Sequence, residues 1–134
     1  MTPTSLSGCH HIVLSVSDLQ RSVKWYADVL DFSELFPINT DAFKRQLMIH
    51  PSGMILGLTE HLHDDAAAAF NERRPGLDHL SFGVGTIAEL EAWLARFDDA
   101  GVEHSGLQVT PTTGFTLVAF RDPDRIQLEL YLAS

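Results

Sequence analysis

The chain carries the same pattern twice, and this internal repeat limits the folds that it can adopt. The segment HIVLSVSD, which begins at His11, resembles HLSFGVGT, which begins at His79, 68 residues later. The same spacing relates Trp25 to Trp93, and both tryptophans lie in segments of helical periodicity. Self-similarity at a fixed spacing predicts two copies of one supersecondary unit.

The spacing of the repeat changes towards the end of each copy. HPSGMILGL from His50 matches DPDRIQLEL from Asp122, which is a spacing of 72 residues. The extra residues fall around DAGVEHSGL, after the second helical segment, where a surface loop accepts insertions.

Each copy has the pattern of one strand, one helix and three strands. Asp18 is the expected N-cap of the first helix. Thr86 and Glu89 have capping-box spacing at the start of the second helix, and Gly101 is its expected end.

The predicted fold is therefore α+β, with two βαβββ modules in a single domain that spans residues 1–134. Module one spans about 10–60, a connector with a short helix in its alanine run spans about 61–77, and module two spans about 78–132. We expect each helix to cover the apolar face of its own sheet, so that a curved mixed sheet forms a cup with the helices outside.

Composition and charge exclude several classes of function. The formal net charge is −9, whereas a protein that binds nucleic acid or an anionic membrane surface requires a basic patch. The single cysteine excludes an intrachain disulfide. No secretory signal and no membrane-spanning apolar run are visible, so the expected location is the cytoplasm.

Alternation along the strands places three candidate metal ligands on the faces that the helices do not cover. In QLELYL, Glu129 lies on the face opposite to Leu128 and Leu130. His11 and His79 start the first strand of each module, and the curved sheets would direct both towards the same concave space as Glu129. Two histidines and one carboxylate hold a divalent ion and leave coordination positions open. The alternatives are a solvated glutamate and hydrogen-bonded strand histidines.

Other residues of these faces are candidates for catalysis or substrate binding. Tyr131 joins Glu129 as a candidate catalytic residue, and His104 is a candidate acid or base. Position 129 corresponds, 72 residues earlier, to Gly57, so the site is expected to be open on that side. The residues expected to line the substrate are Ser15, Met48, Gly57 and Gln127.

The segments HIVLSVSDLQRSVKWYADVLDF, DHLSFGV and FRDPDRIQLEL resemble the vicinal oxygen chelate superfamily, the group of glyoxalases, bleomycin-resistance proteins and extradiol dioxygenases. The resemblance implies paired βαβββ modules around a metal ion held by His11, His79 and Glu129. Glyoxalase I carries a glutamate, and methylmalonyl-CoA epimerase a glutamine, where this chain has Gly57. The remaining ligand set is similar to those of extradiol dioxygenases and fosfomycin-resistance transferases.

The resemblance implies an enzyme that binds a small oxygenated organic molecule on a divalent metal ion. The first interpretation is an extradiol-dioxygenase-like enzyme that uses Fe²⁺. The second is a glyoxalase-like lyase or isomerase, or a transferase, that uses Mn²⁺, Ni²⁺ or Zn²⁺. The third is a protein that sequesters a drug or metabolite without catalysis. The expected partners are a small-molecule substrate and a second copy of the chain, with no nucleic acid and no membrane.

Overall fold

The computed structural model describes residues 2, 4–63 and 69–132, which form two compact units, Met1–Ala66 and Ala67–Ser134. The first unit contains, in chain order, β1 (Ile12–Ser15), α1 (Leu19–Leu30), β2 (Ser33–Asn39), β3 (Phe43–Ile49) and β4 (Ile55–His61). The second contains β5 (Leu80–Gly83), α2 (Ile87–Ala100), β6 (Gln108–Val109), β7 (Thr116–Arg121) and β8 (Gln127–Leu132). The predicted α+β fold with two βαβββ modules is confirmed.

The two sheets have the same topology. The strand order is β1-β4-β3-β2 in module one and β5-β8-β7-β6 in module two. The pairs β1–β4 and β5–β8 are parallel, whereas the other pairs are antiparallel, so both sheets are mixed. The register reproduces the repeat, because Ile12 opposes Leu56 just as Leu80 opposes Leu128.

The helix caps confirm the predicted starts of both helices. Asp18 accepts a hydrogen bond from the Arg21 N–H at 3.1 Å, and the Thr86 hydroxyl accepts one from the Glu89 N–H at 3.1 Å. Gly101 ends α2 at a φ of 71°, a left-handed conformation that suits glycine. These caps fix where each helix starts on its sheet.

Each helix packs on one face of its own sheet, and the core of each module lies between them. In module one the buried apolar side chains of this layer include Leu14, Tyr26, Met48, Leu56 and Leu58, and in module two they include Leu90, Phe97, Val118, Leu128 and Leu130. The face of each sheet opposite to its helix is called the open face below. The burial of every second residue of β8 shows that Glu129 belongs to the open face of module two.

The connector prediction is only partly testable. The short helix expected in the alanine run falls largely on residues 64–68, which lie outside the described residues. Further along, Glu72 of the connector forms an ion pair with Arg121 of β7 at 3.1 Å. No helix among the described residues is long and apolar enough to cross a membrane.

Candidate metal centre

The parallel pair β5–β8 brings two of the three predicted ligands together. Ser81 opposes Glu129 in the register, and His79 immediately precedes β5. The His79 Nε2 atom lies 3.3 Å from the Glu129 Oε1 atom. The Ser81 hydroxyl donates a hydrogen bond to the same carboxylate oxygen. One imidazole nitrogen and one carboxylate oxygen, the donor types that divalent transition metals bind, therefore face each other within module two.

Asp78 fixes the orientation of the His79 ring. The His79 Nδ1 atom lies 2.7 Å from the Asp78 Oδ1 atom, and a carboxylate at this position accepts the Nδ1–H. Neutral His79 then carries its lone pair on Nε2, on the side of Glu129. A carboxylate on the outer nitrogen is the usual support of a metal-bound histidine, since it fixes the tautomer and increases the basicity of the ligand.

The charges around His79 favour its protonated form when no metal is bound. The hydrogen bond to Asp78 raises the pKa of His79, the charges of Glu129 and Asp78 raise it further, and burial opposes the increase. A divalent ion would replace this proton between Nε2 and Glu129, so metal binding releases a proton. The same negative surroundings therefore favour either a proton or a metal cation at this point.

Asp78 and Ser81 are functional candidates that sequence reasoning missed. Ser81 has the same strand parity as His79, and parallel pairing with the last strand would have placed it beside Glu129. Asp78 gave only a weak signal, because adjacent residues of a strand are expected to point to opposite faces. The strand begins at Leu80, so this alternation does not apply to Asp78 and His79.

His11, the third predicted ligand, belongs to module one. Its ring is exposed, and its Nδ1 atom lies 2.8 Å from the Nδ1 atom of His10. The rings of His10 and His11 contact each other because β1 begins only at Ile12, so the alternation of a strand does not apply to these two residues. Among its described residues, neither module places three His, Cys, Asp or Glu side chains so that they could hold a metal ion together. The complete set of His11, His79 and Glu129 stays a prediction that requires both modules.

Two other predicted residues lie on the open face beside Glu129. The Gln127 amide donates to the backbone oxygens of Phe120 and Leu128, at 3.1 Å each, so its N–H groups are engaged along the sheet. The Tyr131 hydroxyl lies 3.5 Å from Thr113 Oγ1. Roles of Gln127 in substrate lining and of Tyr131 in catalysis stay predictions.

In module one the structure corrects part of the predicted substrate-lining set. Met48 is fully buried and opposes Leu56 on the helix-covered face, so its predicted place on the open face is wrong. Ser15 is exposed and opposes Thr59 on the open face.

Gly57 does not provide the expected opening. A Cβ atom at Gly57 would lie 2.9 Å from Val13 Cγ2 and 3.1 Å from Leu47 Cδ2, so these two side chains already fill the space above it.

His104 is held on the helix side of module two. Its Nε2 atom lies 2.6 Å from Asp98 Oδ1, and its Nδ1 atom accepts a hydrogen bond from the Gly106 N–H at 3.0 Å. The ring also contacts Phe97 of α2. Both nitrogens are thus engaged on the face opposite to Glu129, and the predicted role of His104 as an acid or base at the site is wrong.

The repeat and the topology agree with comparisons of the whole chain. A sequence model of the Glyoxalase/Bleomycin resistance protein/Dioxygenase superfamily matches residues 8–130. This chain belongs to that superfamily. Among the relatives of the chain, the uncharacterized protein YwkD of Bacillus subtilis is 30% identical over 132 residues, which cover 94% of this chain and 97% of YwkD.

Solved structures of the superfamily share the fold. A glyoxylase/bleomycin resistance protein/dioxygenase domain from Frankia sp. is 38% identical, with a TM-score of 0.88 over 97% of this chain and 94% of that chain. The fosfomycin resistance protein FosX from Listeria monocytogenes, in a complex with Mn(II) and sulfate, is 20% identical, with a TM-score of 0.71 over 97% of this chain and 95% of FosX. At that identity FosX supports the fold alone.

Proposed function

We propose that this chain is a divalent-metal-dependent enzyme that acts on a small oxygenated organic molecule. The observation that carries the proposal is the pair of His79 Nε2 and Glu129 Oε1, 3.3 Å apart, with the outer nitrogen of His79 engaged by Asp78. A bound ion supplies a Lewis acid with open positions for small oxygen ligands. His11 of module one is the proposed third ligand.

The residues around this pair have distinct proposed roles. Glu129 offsets the charge of the ion and is only 16% exposed, which protects the carboxylate from full hydration. Ser81 orients Glu129 through its hydroxyl donor. The Tyr131 hydroxyl, on the same face, is the proposed group that hydrogen-bonds a substrate oxygen.

An extradiol-dioxygenase-like activity with Fe²⁺ is the first subclass that we propose. The second is a lyase, isomerase or transferase activity with Mn²⁺, Ni²⁺ or Zn²⁺ as a Lewis acid. The two subclasses differ in their need for oxygen. Consumption of O₂ with a catechol panel supports the first, and turnover that is unchanged under anaerobic conditions supports the second.

The deciding experiment for the metal site is elemental analysis of protein purified without a histidine tag and reconstituted separately with Fe²⁺, Mn²⁺, Ni²⁺ and Zn²⁺. We expect about one equivalent of one ion per chain, and loss of this ion in both Glu129→Ala and His79→Ala. His50→Ala is a matched control, because His50 is a histidine of module one whose Nδ1 is engaged by Ser52. A wild-type protein that retains no ion after reconstitution would contradict the proposal. The favoured interpretation would then be a binding protein without catalytic activity.

We also propose that the protein is a homodimer. The support is that neither module alone supplies three clustered ligands among its described residues, so a second copy is one source of the missing one. Sedimentation equilibrium measures the mass directly. A mass of about 14.8 kDa at all concentrations contradicts the dimer.

A further inference from the structure

Arg45 of module one is held in a fixed position on the open face. Its Nε atom donates a hydrogen bond to Thr59 Oγ1 at 2.8 Å, and its guanidinium carbon lies 4.3 Å from the centroid of the Phe43 ring. Thr59 is only 1% exposed, so the acceptor belongs to the rigid part of the sheet. A long cationic side chain with two such contacts has already lost much of its rotamer freedom, which lowers the entropic cost of binding a ligand.

Among the residues that the structure describes, the outer nitrogens of this guanidinium have no hydrogen-bond or ion-pair partner. Among residues 2, 4–63 and 69–132, the contacts of the Arg45 side chain are those with Thr59 and Phe43, and no carboxylate forms an ion pair with it. The nearest acidic residue along β4, Glu60, opposes Lys44 on the helix side and accepts a hydrogen bond from the Leu19 N–H there. Within the described part of the chain, Arg45 therefore presents two outer nitrogens with free donors, although the net charge of the chain is −9.

The surroundings of Arg45 are apolar on one side and polar on the other. Ser15 and Thr59 lie in the same row across the sheet, so the exposed Ser15 hydroxyl is a second donor. The next row contains Val13 and Leu47, with Phe36 opposite Leu47 on β2. Val13 and Phe36 are 38% and 48% exposed, respectively. A fixed cation beside exposed aliphatic and aromatic groups has the chemistry that recognises an organic acid.

We propose that the open face of module one binds the carboxylate of an organic acid. The two Arg45 Nη atoms donate to the two carboxylate oxygens, a planar match that lysine does not offer. The hydrocarbon part of the acid lies on Val13, Leu47 and Phe36. The site goes beyond the proposed metal function, because none of these residues is a predicted metal ligand.

The test is a titration of metal-free, chelator-treated protein with phenylacetate, followed by the ¹H–¹⁵N signals of the arginine side chains. We expect the Arg45 Nε–H signal to shift with saturation. Arg45→Met should weaken binding at least about tenfold, as expected for loss of a charge-assisted bidentate contact. Arg74→Met is the matched control, because Arg74 is an exposed arginine of the other unit, and its affinity should equal that of the wild type.

Phenylacetamide separates recognition of the charge from burial of the ring. It has the same ring without the charge, and it should bind at least about tenfold more weakly than phenylacetate. If Arg45→Met does not fold, Arg45→Lys keeps the charge and loses the fork, and weaker binding is again expected.

Three results would overturn the proposal: no binding of phenylacetate below about 10 mM, equal affinity in the wild type and the Arg45 variant, or equal affinity for the acid and the amide. Since the protein contains no metal in this titration, failure of the metal site leaves the result unaffected, and failure of the carboxylate site leaves the metal analysis unaffected.

Discussion

The open faces of the two modules differ most at one equivalent row of residues. Module two has Ser81, Glu129 and Ala119 side by side, whereas module one has Val13, Gly57 and Leu47 at the equivalent positions. In module two a hydroxyl donor and a methyl group leave room for a carboxylate. In module one two aliphatic side chains close over the glycine. A carboxylate on such a face thus depends on all three positions of the row, because it needs both space and a partner.

Gly57→Glu should have the largest effect on stability. It tests whether the row of Val13, Gly57 and Leu47 excludes a carboxylate from module one. The new side chain would collide with Val13 and Leu47 and place a carboxylate among apolar groups. We expect the free energy of unfolding to fall by about 3 kcal/mol or more, measured by urea denaturation.

Transfer of the three residues of the module-two row into module one tests the same explanation further. The triple variant Val13→Ser, Leu47→Ala, Gly57→Glu copies Ser81, Ala119 and Glu129, and it should unfold at higher urea than Gly57→Glu alone. Gly57→Ala, which adds only the Cβ atom, should lose about 1–3 kcal/mol. If Gly57→Glu were as stable as the wild type, the explanation by steric closure would be wrong.

Asp78→Asn tests the residues that precede the two histidines. Asp78 of module two corresponds to His10 of module one: Asp78 lies beside the Nδ1 atom of His79, whereas His10 lies beside the Nδ1 atom of His11. We expect metal affinity to fall about 10- to 100-fold, because a metal-supporting carboxylate is lost. Isothermal titration with the ion found by elemental analysis measures this change.

A second readout for Asp78→Asn does not depend on metal. The ¹⁵N shifts of the His79 ring in metal-free protein should show a greater share of the Nε2–H tautomer at high pH. Asp99→Asn, on an exposed residue of α2, is the control and should change neither quantity. Unchanged affinity and tautomer in Asp78→Asn would remove Asp78 from the proposed centre.

The two helix caps should differ in importance. In module one Glu60 of β4 also binds the Leu19 N–H at the start of α1, whereas the cap of α2 depends on Thr86. Thr86→Ala should therefore cost about 1 kcal/mol, and Asp18→Ala should cost less. Thermal unfolding of both variants decides this, and a larger loss in Asp18→Ala would contradict the supporting role of Glu60.

The smallest expected effect on stability is that of the ion pair between Arg121 and Glu72. The equivalent of Arg121 in module one is Ile49, which is uncharged. The hydrogen bond from Arg121 to Glu72 lowers the pKa of the Glu72 carboxyl. A carboxyl with a lower pKa in the folded protein contributes stability at neutral pH, and the contribution is lost as the pH falls through the folded pKa, below the ordinary value of 4.5.

The stability difference between wild type and Glu72→Gln should accordingly be constant near neutral pH and shrink in acid. Because the pair is only partly buried, high salt should also reduce this difference. Glu91→Gln, which removes an exposed glutamate of α2, is the control variant. A difference that grows in acid would have the wrong sign for this ion pair.

Sequence reasoning located the secondary structure well because the repeat supplied each pattern twice. The cap residues Asp18, Thr86 and Gly101 and the face of Glu129 follow from local rules on caps and alternation. The prediction for Met48 was wrong because its place depends on which face of β3 the helix covers, and FKRQLMI has polar residues on both faces. The prediction for His104 was wrong because its two partners, Asp98 and Gly106, come together only through the packing of the loop on α2.

The sequence by itself determined two βαβββ modules, membership of one superfamily by resemblance, and Glu129 as an unusual carboxylate on a strand. These features depend on residues close in the chain, where spacing and alternation apply directly. Only the tertiary structure placed Ser81 and His79 beside that carboxylate and Asp78 on the outer nitrogen of His79. It also closed Val13 and Leu47 over Gly57, and left the Arg45 guanidinium without a carboxylate partner among the described residues. Those outcomes depend on the register between strands far apart in sequence, and on the volumes of side chains that meet there.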